Sequence, residues 1–319
     1  MKKSIIIGIE TSCDETSVAL YLNNKFIDEI TTSSMQIQSN FGGVVPEIAT
    51  RYHQSNIHKI FNELIKKNNI KIDEITHIVY TSCPGLPGCL HVGTCFALTL
   101  AKLTKAKLIP INHLYGHIFS GFIDKDIEIK FPMIGVVVSG GHTTIYYVKN
   151  IDEIEILNET QDDAVGEVLD KVGRALDWKY PAGPLIDKVF DPRKATIKLV
   201  KNNFSVQSPF SFSGIKTAAL NYINIHKQKN ETFDEVSLTS SVQKFIIDDV
   251  VNKVKYWLKE KECNIVCLGG GVSANKYLRD ELSKIKLDKL ILPNLKYTGD
   301  QATMIAFYGM LLINSKNLY

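Results

Sequence analysis

One arrangement occurs twice in this chain and limits the folds open to it. Residues 5–9 read as a central strand, 10–16 as a polar turn, and 17–22 as the returning strand of a hairpin. The same layout recurs at 134–138, 139–143 and 144–148, with Gly8 and Gly135 spaced 127 positions apart, as are Thr16 and Thr143. This internal repeat predicts two similar α/β lobes, the second opening near Phe131-Pro132. Helical periodicity at 57–67, 92–103, 164–176, 236–259 and 275–284 alternates with strands at 75–81, 108–111 and 264–268. Alternation of that kind implies a largely parallel sheet in each lobe. The expected division is 1–130 for the first lobe and 131–301 for the second, with helix 302–319 packing back on the first.

Composition narrows the class. The 319 residues are 45% hydrophobic and 22% charged, as in a soluble globular protein of two domains. A net charge of +3 creates no global basic field, so nucleic acid would have to meet a local patch. Six cysteines without a CxxC pair argue against a zinc ribbon and for free thiols in a reducing cytosol. Met1-Lys2-Lys3 and the apolar run after it imitate the start of a signal peptide. Glu10 and Asp14 end that run too early. Residues 302–313 are apolar but far short of the ~20 residues a spanning helix needs. We therefore expect a cytoplasmic protein without a membrane partner.

Two segments run an apolar strand into a glycine-rich turn: Val137-Val138-Ser139-Gly140-Gly141 and residues 266–275. Glycine there lets backbone N–H groups close on an anionic or nucleotide ligand. Two such turns suggest a nucleotide held between lobes, although strand-Gly-Gly is also an ordinary turn. Residues 269–274 fit G-x-G-x-x-A, but only about fifty residues follow, too few to finish a Rossmann lobe. Asn275, opening the next helix, is a candidate adenosine contact. Pro84-Gly85-Leu86-Pro87-Gly88 is a rigid turn between strand and helix and a candidate crevice wall. No P-loop motif occurs.

His113 and His117 stand at i and i+4, which on a helix puts both imidazoles on one face, where they can chelate a divalent metal. Leu114 follows the first of them, where zinc peptidases carry glutamate. A third ligand must come from elsewhere, and Asp300 is the candidate. Asp162, Asp163, Glu167 and Asp170 form an acidic cluster. It reads either as a solvated helix N-terminus or as acceptors for ribose hydroxyls. Residues 210–217, with Lys216, either meet phosphate or start a helix. Arg193, Lys194, Lys198 and Lys201 form a basic patch that either meets nucleic-acid phosphates or is a solvated surface.

Several segments together resemble one family. They are Gly8-Ile9-Glu10-Thr11-Ser12-Cys13-Asp14-Glu15-Thr16, Gly43-Val44-Val45-Pro46-Glu47, the His113/His117 pair, Ser139-Gly140-Gly141-His142-Thr143, residues 210–218 and 269–275, and Asp300-Gln301-Ala302-Thr303-Met304-Ile305-Ala306. Their order and spread, from residue 5 to residue 306, are similar to the TsaD/Kae1/Gcp (YgjD) family of tRNA N6-adenosine threonylcarbamoyltransferases. The resemblance implies a two-lobed actin/Hsp70-like (ASKHA) fold, with two RNase H-like lobes and a nucleotide cleft between them. It implies transfer of a threonylcarbamoyl group from L-threonylcarbamoyl-AMP to N6 of adenosine at tRNA position 37, with TsaB-like and TsaE-like partner proteins. Carried over by motif, His113, His117 and Asp300 would bind one divalent metal, Fe2+ or alternatively Zn2+. Val137, Val138, Ser139, Gly140, Gly141, Asp170, Gly183, Asp187 and Asn275 would bind the adenylate. No general base is identified; Asp14 and Glu15 are the candidates.

Two departures from the family pattern stand out. Tyr180-Pro181-Ala182-Gly183-Pro184 replaces Tyr-Pro-Gly-Gly-Pro, and Gly299-Asp300-Gln301 replaces Thr-Asp-Asn. The rival readings are an ATP-dependent small-molecule kinase of the same fold, a metallopeptidase, which lacks its glutamate here, and a scaffold that only binds nucleotide.

Overall fold

A computed structural model describes residues 4–200 and 205–315. Runs of β-branched residues set its strands. Ile5–Glu10 (β1) is buried throughout and pairs antiparallel with Glu15–Leu22 (β2), which pairs antiparallel with Lys25–Ser33 (β3). His77–Cys83 (β4) runs parallel to β1, and Lys107–Asn112 (β5) parallel to β4. The sheet order is β3-β2-β1-β4-β5. Side chains alternate across it, as a period of two requires. Ile5, Ile7 and Ile9 join a core with Ile57, Phe61, Leu64 and Leu100 from helices Pro46–Lys67 (α2) and Pro87–Thr104 (α3). Burying each such side chain stabilises the fold by about 1.5–3 kcal/mol. Gly8, on the other face, lies against Ala302 and Ala306 of a helix from the far end of the chain. Two shorter helices, Met35–Gln38 (α1) and His113–Phe119 (α4), complete this part of the chain.

The second sheet repeats the first. Met133–Val138 (β6), Thr143–Val148 (β7) and Ile154–Glu159 (β8) pair antiparallel; Ile265–Gly269 (β9) runs parallel to β6, and Lys289–Ile291 (β10) parallel to β9. The order β10-β9-β6-β7-β8 is the first sheet's order, strand for strand in chain sequence. The register repeats as well: Gly8 faces Ala19 and Ile9 faces Val18, while 127 positions on Gly135 faces Tyr146 and Val136 faces Ile145. Helices Val165–Ala175 (α5), Gly183–Val189 (α6), Ser213–Lys229 (α7), Glu235–Glu260 (α8) and Lys276–Ser283 (α9) accompany this sheet. Its core joins Val136, Val138, Val168, Val172, Ile246, Val250 and Leu268. Beneath α8 lies a buried pair, Lys253 Nζ 3.5 Å from Asp249 Oδ1. Lys253 also donates to the Ser208 carbonyl at 2.9 Å, whereas neither Asp249 oxygen takes a hydrogen bond from a described residue. Burial pushes the Asp249 carboxyl up to about 6, and Lys253 offsets only part of that rise.

Among the described residues, the chain up to Ile127 and from Pro293 forms one unit, and Glu128–Leu292 the other. Residues 293–301, assigned to the second lobe from sequence, thus belong with the first. The cause is local. Tyr297 Oη and Lys296 Nζ both donate to Asp124 Oδ2, at 2.6 and 2.7 Å. The final helix, Ala302–Ser315 (α10), packs on β1, β2 and α4. Residues 316–319 of the expected helix lie outside the described residues. The polar hairpin turn is also shorter than expected, because β1 extends through Glu10 and β2 starts at Glu15. Among the described residues no helix is long and apolar enough to cross a membrane.

Candidate functional site

The first unit builds a cluster of imidazoles and carboxylates. Asn112 ends β5 and caps α4, its Oδ1 accepting from Leu114 N at 2.9 Å. Capping starts the helix at His113, so His113 and His117 share one face. Their rings meet edge to face with centroids 4.6 Å apart. Asp300, 183 residues beyond His117, immediately precedes the turn into α10 and brings Oδ1 to 3.1 Å from His117 Nε2 and 3.4 Å from His113 Nε2. One ligand atom from each of His113, His117 and Asp300 lies within 4.8 Å of the others. Two imidazoles and one carboxylate suit a divalent transition metal, so these residues fit the expected ion.

Glu10, at the end of β1, was not assigned a role from sequence, although it lies inside a quoted motif. It is fully buried. Its Oε2 stands 3.0 Å from His113 Nδ1 and accepts from the Thr81 hydroxyl, while Oε1 accepts from Ser12 N. His117 Nδ1, by contrast, is buried and has no hydrogen-bond partner among the described residues.

The charges in the cluster are interlocked. Burial raises Asp300, but the His113 charge and hydrogen bonds from both histidines outweigh it and hold the carboxyl well below its usual range. Burial likewise opposes the charge on His113, yet Glu10 and Asp300 lift its pKa well above the ordinary histidine value. His117 is held below that value by burial and the His113 charge, against the pull of Asp300. Burial, then the charges of Asp300 and Asp14 and a hydrogen bond with Asp14, push Glu15 up to about 10. That rise belongs to the metal-free cluster, in which the charge of Asp300 is part of the cause. Asp14 accepts from the Ser33 hydroxyl at 3.4 Å.

In the second unit the structure gathers the glycine turns on neighbouring strands. The two turns do not come from different lobes. β6 and β9 run parallel, with Val137 opposite Gly269, so both turns leave the same edge of one sheet. Gly270 has φ +88°, and a Cβ there would press into the Val138 carbonyl. Only glycine can hold that conformation so close to a neighbouring backbone. The Val137 and Val138 side chains are buried in the core, so only their backbone can face a ligand. Ser139 closes its turn through N–H to the His142 carbonyl at 2.8 Å, with Gly140 and Gly141 exposed. Gly166 N, at the start of α5, donates to the Ser139 carbonyl at 3.1 Å.

The other expected adenylate residues already carry structural bonds. Asp170 Oδ1 accepts from Ala182 N and Gly183 N at 2.7 and 3.1 Å, tying α5 to the start of α6. Asp187 joins α6 to α8 and α9, accepting from Gln243 Nε2 at 3.2 Å and Lys276 N at 2.9 Å. Asn275 caps α9 through Leu278 N at 2.9 Å. Asp170 Oδ2 and Asn275 Nδ2 bond no described residue. Ala182, where the family pattern has glycine, fits because its methyl occupies the space beside Gly173, where a Cβ on Gly173 would overlap it.

Three groups of residues left open by the sequence have structural partners. Asp162 accepts from Ser211, Phe212 and Ser213, Asp163 is paired with Lys171 and Lys216, and Glu167 with Lys171. These three carboxylates brace α5 and α7 and are not a set of ribose acceptors. Lys216 is committed to Asp163 at 2.6 Å, and residues 213–217 open α7. In the basic patch, Arg193 pairs with Asp191 and Lys194 with Asp234; Lys201 lies outside the described residues.

Comparisons with known proteins agree with the motif order. Residues 25–307 match the family model of TsaD, tRNA N6-adenosine threonylcarbamoyltransferase. The chain is 50% identical to the protein of that name from Ureaplasma parvum serovar 3, over 98% of this chain and 96% of the relative. It is 45% identical to the one from Mycoplasma pneumoniae, over 98% of each. Among solved structures, full-length HypF in its phosphate- and nucleotide-bound form aligns with TM-score 0.60 at 11% identity, covering 97% of this chain and 46% of that one. HypF from T. kodakarensis gives 0.56 at 13% identity, covering 98% and 48%. Those two likenesses bear on the fold alone and accord with an actin/Hsp70-like α/β architecture. By sequence, this chain belongs to the TsaD family of tRNA N6-adenosine threonylcarbamoyltransferases.

Proposed function

We propose that this chain transfers the threonylcarbamoyl group of L-threonylcarbamoyl-AMP to N6 of adenosine at tRNA position 37, releasing AMP. The observation that carries the reading is the meeting of His113, His117 and Asp300 from distant parts of a chain of this family. In the reaction N6 attacks the carbamoyl carbon, the bond from that carbon to the phosphate oxygen breaks, AMP leaves with the electron pair, and N6 gives up one proton. The adenine amine is a weak nucleophile because its lone pair is delocalised, whereas AMP leaves readily. Catalysis then depends on positioning and charge stabilisation more than on a strong base.

His113, His117 and Asp300 would hold one divalent ion, Fe2+ on family resemblance, with Zn2+ suited to the same donors. Bound there, it supplies a Lewis acid able to polarise a carbonyl or neutralise a phosphate. With Ser139 N–H closing the turn, the backbone N–H groups of Gly140, Gly141 and Gly270 suit a phosphate. Gly183, Asp187 and the backbone of Val137 and Val138 shape that pocket. Asp170 Oδ2 and Asn275 Nδ2 are the polar atoms left for ribose and base. Asp14 and Glu15 are the candidates to receive the proton from N6. We place the reaction in the cytoplasm, off the membrane, with TsaB-like and TsaE-like proteins as partners.

The test supplies purified chain, those partner proteins, synthetic threonylcarbamoyl-AMP and unmodified tRNA, followed by nucleoside analysis. Threonylcarbamoyl-adenosine in the tRNA, with one AMP released per modification, is the expected result. Unmodified tRNA in the full mixture, or transfer of phosphate from ATP to a small molecule, would overturn the reading.

A further inference from the structure

Glu10 is the most deeply enclosed carboxylate of the first unit's cluster, and its three partners face it from three elements. Ser12 N–H comes from the turn after β1, the Thr81 hydroxyl from β4, and His113 from the start of α4. We propose that Glu10 is the positioning residue of the metal site, holding His113 with its proton on Nδ1 so that Nε2 is presented to the ion. This rests on the reading of His113, His117 and Asp300 as metal ligands.

The argument is one of donors and acceptors. An ionised carboxylate only accepts. Ser12 N–H and the Thr81 hydroxyl donate to it, so the remaining contact, at 3.0 Å, requires Nδ1 of His113 to carry a proton. The neutral ring then has its lone pair on Nε2, the atom 3.4 Å from Asp300 Oδ1. Among the described residues His117 has no matching brace, because none of them bonds its buried Nδ1. The Ser12 hydroxyl also lies 3.3 Å from His113 Nδ1, but Glu10, at 3.0 Å and charged, is the nearer and stronger acceptor, so the orientation of the imidazole pair depends chiefly on the Glu10–His113 contact. A carboxylate behind a ligating histidine fixes tautomer and ring angle, and its loss typically weakens metal binding about 10–100-fold.

Glu10→Gln is the informative change because its single amide oxygen cannot accept both from Ser12 N–H and from a protonated His113 Nδ1. If its oxygen faces Ser12 N–H, its NH2 faces His113 Nδ1 and favours the tautomer with the proton on Nε2. If its oxygen faces His113, the NH2 confronts the Ser12 N–H. Thr81→Val removes another bond to the same carboxylate but leaves the contact with His113.

The experiment measures Zn2+ affinity by chelator competition for the full chain and for His117→Ala, Glu10→Gln and Thr81→Val, with 15N NMR of His113 in the Zn2+-loaded chain. We expect one ion per chain and a loss of more than about 100-fold in His117→Ala. Glu10→Gln should bind about 10–100-fold more weakly, and Thr81→Val within about threefold of the unsubstituted chain. The NMR spectrum should show His113 Nδ1 protonated and Nε2 on the metal. Equal binding by His117→Ala would overturn the ligand reading and this proposal with it. Intact loss in His117→Ala beside an unchanged Glu10→Gln would overturn the role of Glu10 alone. So would a Thr81→Val loss as large as that of Glu10→Gln, which marks a purely structural carboxylate. The spectrum of the unsubstituted chain decides the matter if Glu10→Gln does not fold: zinc on Nδ1 of His113 would contradict the proposal.

Discussion

Ser17 on β2 accepts the backbone N–H of Ala302 at 3.0 Å, two residues after Asp300. The hydroxyl in turn donates to Glu29 Oε1 at 3.0 Å, and Glu29 also accepts Thr303 N–H at 2.7 Å. Two strands thus receive the first free N–H groups of α10, groups that any helix start leaves without partners. The clamp places Asp300 opposite α4. Glu29→Ala should lower stability by about 1–3 kcal/mol, the cost of leaving such groups unpaired, and should weaken Zn2+ binding as Asp300 loosens. Urea unfolding and chelator competition check the two effects. A destabilised variant with unchanged Zn2+ affinity would separate the clamp from the metal site.

Metal uptake should release a proton. His113 carries one in the metal-free protein, because Glu10 and Asp300 lift its pKa well above the ordinary value, and an ion on Nε2 must displace it. Affinity should therefore rise with pH until the raised value is passed. The sign for stability is the reverse. A histidine with a raised folded-state pKa stabilises the metal-free fold fully below about 6.5 and loses that contribution as pH climbs through the folded-state value. Asp300, depressed in the fold, supplies the other end of the same interaction and loses it on acidification. Calorimetry in two buffers of different ionisation enthalpy counts the protons; no buffer dependence would contradict this charge assignment.

Asn275 both caps α9 and offers an amide to a nucleotide, so alanine would confuse the two. Asn275→Asp keeps the acceptor for Leu278 N–H and removes the Nδ2 donor. It should leave unfolding within about 0.5 kcal/mol, since aspartate and asparagine cap about equally well. AMP binding should weaken by at least the worth of a polar contact, about 1 kcal/mol. Equal AMP affinity by titration calorimetry would remove Asn275 from the site.

The Asp249–Lys253 pair gives the second unit its own pH dependence. With a folded-state value of about 6, Asp249 adds stability below its unfolded value, near 3.9, and loses it as pH rises through about 6. Asp249→Asn should flatten that fall, by about 2–3 kcal/mol between the two limits. Urea midpoints across pH 4–7 test it; parallel curves for the two proteins would show that Asp249 does not carry the slope.

What the sequence revealed was what lies close along the chain. The repeated hairpin and its register were legible because each strand pair is joined by a short turn and patterned with buried residues. β3 and β8 carry partly exposed strand patterns, so neither was marked. The His113/His117 pair was visible as an i, i+4 spacing, and Asp300 as a motif residue. Glu10 was not, because its partners Thr81 and His113 lie 71 and 103 residues away. The acidic cluster stayed open between two readings for the same reason: Lys216, which neutralises Asp163, is 53 residues distant.

The central claim is that one ion held by His113, His117 and Asp300 supports threonylcarbamoyl transfer by this chain. The most direct measurement strips the chain with chelator, returns Fe2+ or Zn2+ in steps, and follows metal content and modified adenosine together in the reconstituted reaction. Product should rise in proportion to occupancy and level off at one ion per chain, while His117→Ala should bind little metal and form little product. Full product from the stripped chain, or from His117→Ala, would contradict the claim.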